Sequence, residues 1–254
     1  MLVSWGVMGV LHNSVESAQE HWNRSYSGPV FTDDPEPVMQ AALAHFGDVR
    51  GKRLLDVGCG LGVASLRFAA LGADVIALDQ SEVAVGRLRD RCAANGVQNL
   101  RPEACSALDA ARLGNFDLVF GSMILHHIEP FAEFAKVLAR ATRSGGRCFF
   151  YENSARNPVL MWFRTHLVGR FGVPKYGDPD EYPLEPREID LLRTSFSVQI
   201  DYPELRLFRL MSTYLFRRRF SRQTRALDRW FYRAGFLNAY SYRQYVKLVR
   251  EAGI

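Results

Sequence analysis

Cysteine is scarce in this sequence and never paired. Cys59, Cys92, Cys105 and Cys148 form no C-x-x-C unit, which argues against a zinc ribbon or disulfide framework and leaves buried or loop thiols of a reducing compartment. The six histidines include no i, i+4 pair with a third ligand, so no metal is expected. Long apolar runs are missing too. Residues 1–11 are apolar but have no basic start and no small-residue cleavage site, and they are too short to cross a bilayer. The expected location is therefore cytoplasmic.

What is present is an ordinary globular composition, 48% apolar and 23% charged over 254 residues, enough for one α/β domain with additions. The net charge of +5 is unevenly spread. From Pro203 onward, eleven Arg and one Lys face three acids, a net of +9, which leaves −4 for the rest. The basicity belongs to the C-terminal part.

The most informative stretch is residues 53–66, R-L-L-D-V-G-C-G-L-G-V-A-S-L. An apolar run ends in Gly58, Gly60 and Gly62, and helical spacing follows at Ala64, Leu66, Phe68 and Ala69. This reads as strand, tight turn and helix, with backbone N–H groups and a helix N-terminus open to a ligand. Asp56 ends the first strand and Asp79 the second. At the carboxyl edge of a parallel sheet, such acids can accept hydrogen bonds from a ribose diol. The dinucleotide fingerprint G-x-G-x-x-G is not met, because Val63 stands where its third glycine would fall. A nicotinamide dehydrogenase is the rival on the same fold.

The D-x-G-x-G-x-G of residues 56–62 resembles the first motif of the class I S-adenosylmethionine-dependent methyltransferases, and type 11 small-molecule members in particular. The likeness continues through F-D-L-V-F-G-S at 116–122, L-H-H-I at 125–128 and S-G-G-R at 144–147. It implies a Rossmann-like sheet of seven strands, the last antiparallel. Residues 1–50 would form an N-terminal helical lid and 51–153 the S-adenosyl-L-methionine-binding core. Residues 154–254 would add an insertion after the fifth strand, the pocket helices and the last two strands.

The resemblance assigns cofactor contacts to Asp56, Gly58, Gly60, Gly62, Asp79, Gln80, Cys105 and Gly121, with Trp22 and Tyr26 on the lid. The acid that often meets the adenine amino group is displaced or absent, Glu103 being the only nearby substitute. His127 is the candidate base or orienter. His126 is its neighbour, expected to point elsewhere, and Glu152 an acid at the tip of the fifth strand. Each has a plain alternative: a loop-bonded histidine, a helix cap, or, for Trp22 and Tyr26, an anchor to the core.

Local signals place the remaining elements. Ser14 caps a helix to Asn23, and Pro35 and Pro37 open a second helix that Gly47 ends. Ser81 and Glu82 start a helix closed by Asn95-Gly96. Strands are expected at 99–104, 116–121, 147–151, 196–200 and 242–248, with helices at 130–142 and 159–168. A further helix follows the D-P-D-E-Y-P-L of residues 178–184. Leu207, Leu210, Met211, Tyr214 and Leu215 form a stripe beside Arg206, Arg209 and Arg217 to Arg219. That stripe fits a helix packed on the sheet, a wall for a greasy anionic substrate, or peripheral membrane contact through the basic C-terminal region.

The expected activity is methyl transfer to a small or lipid-like acceptor, with oxygen favoured over carbon or nitrogen. A non-catalytic cofactor-binding partner or scaffold subunit is the other class. The N/D-P-P-Y/F of amino-methylating enzymes is replaced by F-G-S-M, and no specific nucleic-acid partner is expected.

Overall fold

The computed structural model of the chain describes residues 18–27, 36–168, 182–216, 219–235 and 237–251. Two helices, α1 (Ala18–Ser25) and α2 (Glu36–Phe46), precede the first strand. Strands and helices then alternate as β1 (Arg53–Val57), α3 (Val63–Ala70), β2 (Asp74–Asp79), α4 (Glu82–Ala94), β3 (Leu100–Ala104), β4 (Phe116–Ser122), α5 (Phe131–Ala141) and β5 (Thr142–Asn153). The remainder is α6 (Pro158–His166), α7 (Pro186–Arg193), β6 (Phe196–Asp201), α8 (Leu207–Phe216), α9 (Ser221–Ala234) and β7 (Arg243–Arg250).

The seven strands form one sheet in the order β3-β2-β1-β4-β5-β7-β6. β7 runs antiparallel to β5 and β6, while the pairings among β1 to β5 are parallel. This is the Rossmann-like methyltransferase sheet expected from the resemblance. Central strands of a parallel sheet are covered on both sides and must be apolar throughout. β1 shows the consequence, because Leu54 packs into one core with Phe68, Leu88 and Phe149, and Leu55 into the other with Phe134, Leu138 and Phe150. Successive side chains alternate sides at a period of two.

The sheet order reverses direction between β1 and β4, where ligands of open α/β sheets bind at the carboxyl ends of the strands. Register brings Val57 opposite Leu78 and Gly121, so the turns after β1, β2 and β4 crowd one edge. Ser81 caps α4 by accepting from the Ala84 N–H, and Asn157 caps α6 by accepting from Leu160.

Two expectations change. The fifth strand starts at Thr142 rather than Arg147, because Phe116 pairs with Thr142 and Leu118 with Arg147, and residues 143–146 are absorbed as a bulge. The strand also runs on to Asn153, so Glu152 lies inside it, paired with Gln244 of β7, and not at a free tip. Ser14, Pro35 and residues 178–181 lie outside the described residues. Among the described residues, no helix is long and apolar enough to cross a membrane.

Candidate active site

The turn after β1 holds φ values of +68° at Gly58 and +51° at Gly60. A Cβ on Gly58 would stand 2.4 Å from Ile124 Cγ1, and one on Gly60 2.6 Å from the Tyr26 hydroxyl oxygen. Only glycine lets this backbone approach both neighbours. Gly62 closes the turn as the left-handed N-cap of α3.

Asp79 sits at the end of β2 and organises the turn. One of its carboxylate oxygens accepts the Gly60 N–H at 2.8 Å and the other accepts the Ser81 N–H at 2.8 Å. Burial pushes this carboxyl up, and the two N–H groups pull it back. Asp56 is placed differently from the cofactor contact assigned to it. It is 2% exposed, accepts the Ser65 hydroxyl at 2.5 Å, and ties α3 to β1 without lining the cavity. Burial, with a smaller push from Asp79, raises it to about 7 against the Ser65 bond.

A cavity of about 510 Å³ opens at this edge. Gly58, Asp79 and Gln80 form its floor, and Trp22 and Tyr26 of the α1 region border it. Among the described residues its walls include Asp79 and Glu129 and no lysine or arginine. α1 is held there by Asn23, whose side-chain oxygen accepts the Ser81 hydroxyl at 2.8 Å and the Val83 N–H at 3.3 Å. Burial raises the Tyr26 phenol, with Asp79 next in effect.

The far wall is the turn after β4. His127 and His126 both border the cavity, with ring centroids 4.0 Å apart, and the His126 side chain is 1% exposed. His127 meets the Trp22 ring edge-on at 5.0 Å. His126 Nδ1 lies 2.6 Å from Glu152, whose other oxygen accepts the N–H groups of Ile124 and Leu125 at 2.8 and 2.7 Å. Glu152 is fully buried and serves His126, not His127. Donation from Nδ1–H to this carboxylate would hold His126 as one tautomer.

Cys105 and Gly121 stand behind the walls. The Cys105 N–H donates to the Asp79 carbonyl at 3.1 Å, and it is Ser106, Ala107 and Leu108 that reach the cavity. A Cβ on Gly121 would meet Phe150 at 2.7 Å, so this glycine permits strand packing while Ser122, Met123 and Ile124 form the lining. Glu103 pairs with Arg101 at 2.8 Å. Asn23 and the 106–108 segment carried no sequence signal of their own.

A family profile described as a methyltransferase domain matches residues 55–150. Residues 55–150 are thus similar to a methyltransferase domain, set in a sheet of the class I fold. A ubiquinone biosynthesis O-methyltransferase of Sinorhizobium fredii is 37% identical over 145 residues, covering 56% of this chain and 58% of that protein. The chain spans a little over half the length of the first curated relatives that it matches. The N-methyltransferase NodS of Bradyrhizobium japonicum, solved with S-adenosyl-L-homocysteine, superposes with a TM-score of 0.58 at 12% identity, over 92% of this chain and 98% of that one. The [4+2]-cyclase SpnF superposes with 0.57 at 15% identity, over 91% of both chains. At these identities the two structures establish the fold of the methyltransferase domain and leave its acceptor open.

The residues fit the cofactor of this class. A Cβ on Gly58, Gly60 or Gly62 would strike Ile124, Tyr26 or Leu88, Asp79 brings a carboxylate to the cavity, and the walls suit a cationic ligand better than a pyrophosphate.

Proposed function

We propose that the protein is an S-adenosylmethionine-dependent methyltransferase acting on a small or lipid-like organic acceptor, with oxygen as the receiving atom. The observation that carries this reading is the single cavity shared by the glycine turn, Asp79 and the two histidines. The curated relatives, named ubiquinone biosynthesis O-methyltransferases, support oxygen and a lipid-like acceptor.

When bound, the cofactor supplies an electrophilic sulfonium methyl. Asp79 has lone pairs left for ribose hydroxyls, and Gly58 presents backbone to the amino-acid end. Gln80 and the 106–108 segment border the adenosine side, while Trp22 and Tyr26 cover the cavity. His127 takes the acceptor's hydroxyl proton or orients that hydroxyl in line with the S–CH3 bond. Positioning by these walls is worth roughly 7–11 kcal/mol in favourable intramolecular cases. A well-placed base adds about 100- to 10,000-fold.

Calorimetric titration with S-adenosylmethionine and, separately, NADH tests the cofactor. Micromolar binding of the first and none of the second is expected. Labelled-methyl transfer to phenolic, carboxylic and isoprenoid hydroxyl acceptors then tests the reaction. His127→Ala should lower turnover at least about 100-fold with cofactor affinity retained. NADH binding in place of S-adenosylmethionine would overturn the whole reading, and full turnover by His127→Ala would remove the histidine's role.

A further inference from the structure

Helix α9 has three unlike sides. One side is anchored. Phe231 packs against Phe208 of α8 with ring centroids 5.1 Å apart, and the Tyr232 hydroxyl donates to the Tyr202 carbonyl at 2.7 Å. Asp228, buried, accepts the Phe208 and Arg209 N–H groups at 2.9 and 3.0 Å. That carboxylate is the helix's only acid, and capping α8 engages it.

The second side is basic. Arg222, Arg225, Arg229 and Arg233, spaced by three, four and four residues, fall on one stripe and are all exposed. Among the described residues none of the four has an ion-pair partner; Arg225 donates only to the Ser221 carbonyl of its own helix. Glu204, the nearest acid on the neighbouring loop, is held by Arg206 and Arg209. A cleft of about 450 Å³ opens beside Arg225 and Arg229, bordered by the engaged Glu204 and Asp228.

The third side is apolar yet uncovered. Leu227 is 43% and Trp230 63% exposed, one turn apart and flanked along the same stripe by Gln223 and Ala234. An anchored helix with adjoining arginine and Leu-Trp sides matches a surface that is anionic at the top and apolar just beneath.

We propose that α9 docks the protein on a bilayer surface of anionic phospholipids. The arginine stripe lies at the headgroup phosphates, with Leu227 and Trp230 in the acyl boundary, where tryptophan is favoured. A second copy of the chain fits this face poorly, because an isologous contact would set one arginine stripe against its twin. Of the stripe expected on α8, Met211 is exposed, while the side chains of Tyr214 and Leu215, and Arg217 and Arg218, lie outside the described residues. Its Arg206 and Arg209 are engaged by Glu204, and Leu207 and Leu210 are half-buried.

The test is cosedimentation of the full chain with vesicles of phosphatidylcholine alone and of phosphatidylcholine mixed with phosphatidylglycerol. Binding to the mixed vesicles is expected at least about tenfold above the neutral ones, and falling with salt. Arg225→Gln with Arg229→Gln should weaken it roughly 30-fold, and Leu227→Ala with Trp230→Ala about tenfold or more. Arg225→Lys with Arg229→Lys should retain it. All four side chains are exposed and outside the active-site cavity, so melting temperature and S-adenosylmethionine affinity should not move. Equal binding to both vesicle types, binding to neither, or wild-type binding by both double variants would overturn the proposal. So would a dimer in sedimentation equilibrium that Trp230→Ala dissociates.

Discussion

Glu152 and His126 form a buried pair across the β4–β5 edge, with Nδ1 2.6 Å from the carboxylate. The same carboxylate accepts two backbone N–H groups from the turn that carries both histidines. One side chain thus sets a tautomer and the shape of a loop together. Glu152→Gln separates these jobs, since an amide oxygen can still accept the two N–H groups while its NH2 cannot accept from Nδ1.

Because the His126 ring centroid lies 4.0 Å from that of His127, the proposed base, Glu152→Gln should lower kcat by roughly 10- to 100-fold and shift the pH profile, leaving KM for cofactor and its calorimetric affinity nearly unchanged. Glu152→Ala should also cost about 3 kcal/mol in urea unfolding, because buried donors lose their acceptor. An unchanged kcat in Glu152→Gln would make the pair purely structural.

This pair also marks where reading from sequence stops. The elements themselves were legible, because glycines at alternate positions, apolar runs bounded by turns, and a cap such as Ser81 act locally. The contact between residues 126 and 152 depends on β4–β5 register, including the bulge at 143–146 that moved the start of the fifth strand. Asp56 looked like a ligand-facing acid because it ends a strand beside the glycine turn. Its side chain instead meets Ser65 on α3, a contact set by helix placement. The unlike sides of α9 emerge only once α8 has claimed Phe231 and Asp228.

Asp56 gives stability a pH dependence of determined sign. Its carboxyl holds a proton up to about pH 7 in the folded protein, chiefly through burial, and releases it near 4 when unfolded. Between those values the unfolded chain binds fewer protons, so stability from this site is full below about pH 4 and is lost as pH rises to about 7. The loss is about 4 kcal/mol over the window. Urea midpoints compared at pH 5 and 8 should fall more for wild type than for Asp56→Asn, which keeps an acceptor for Ser65 and has no proton to lose. Parallel slopes for the two proteins would show that Asp56 is ionised in the fold.

Asn23 is the hinge point for a prediction about the lid. Its side-chain oxygen links α1 to the start of α4, taking the Ser81 hydroxyl and the Val83 N–H. Trp22, its neighbour, reaches His127 across the cavity. Asn23→Ala removes both bonds, at about 1 kcal/mol each, while Ser81 keeps its cap on Ala84. Global stability should therefore change little, because α1 is a short element whose loosening is a local event. S-adenosylmethionine should bind roughly 5- to 30-fold more weakly, with amide exchange rising in residues 18–27 and unchanged in β1 and β4. Asn23→Asp keeps an acceptor for both donors and should bind the cofactor as wild type does. If Asn23→Ala loosens α1 by exchange and cofactor affinity stays put, then Trp22 and Tyr26 only anchor the helix and the cavity binds without a lid.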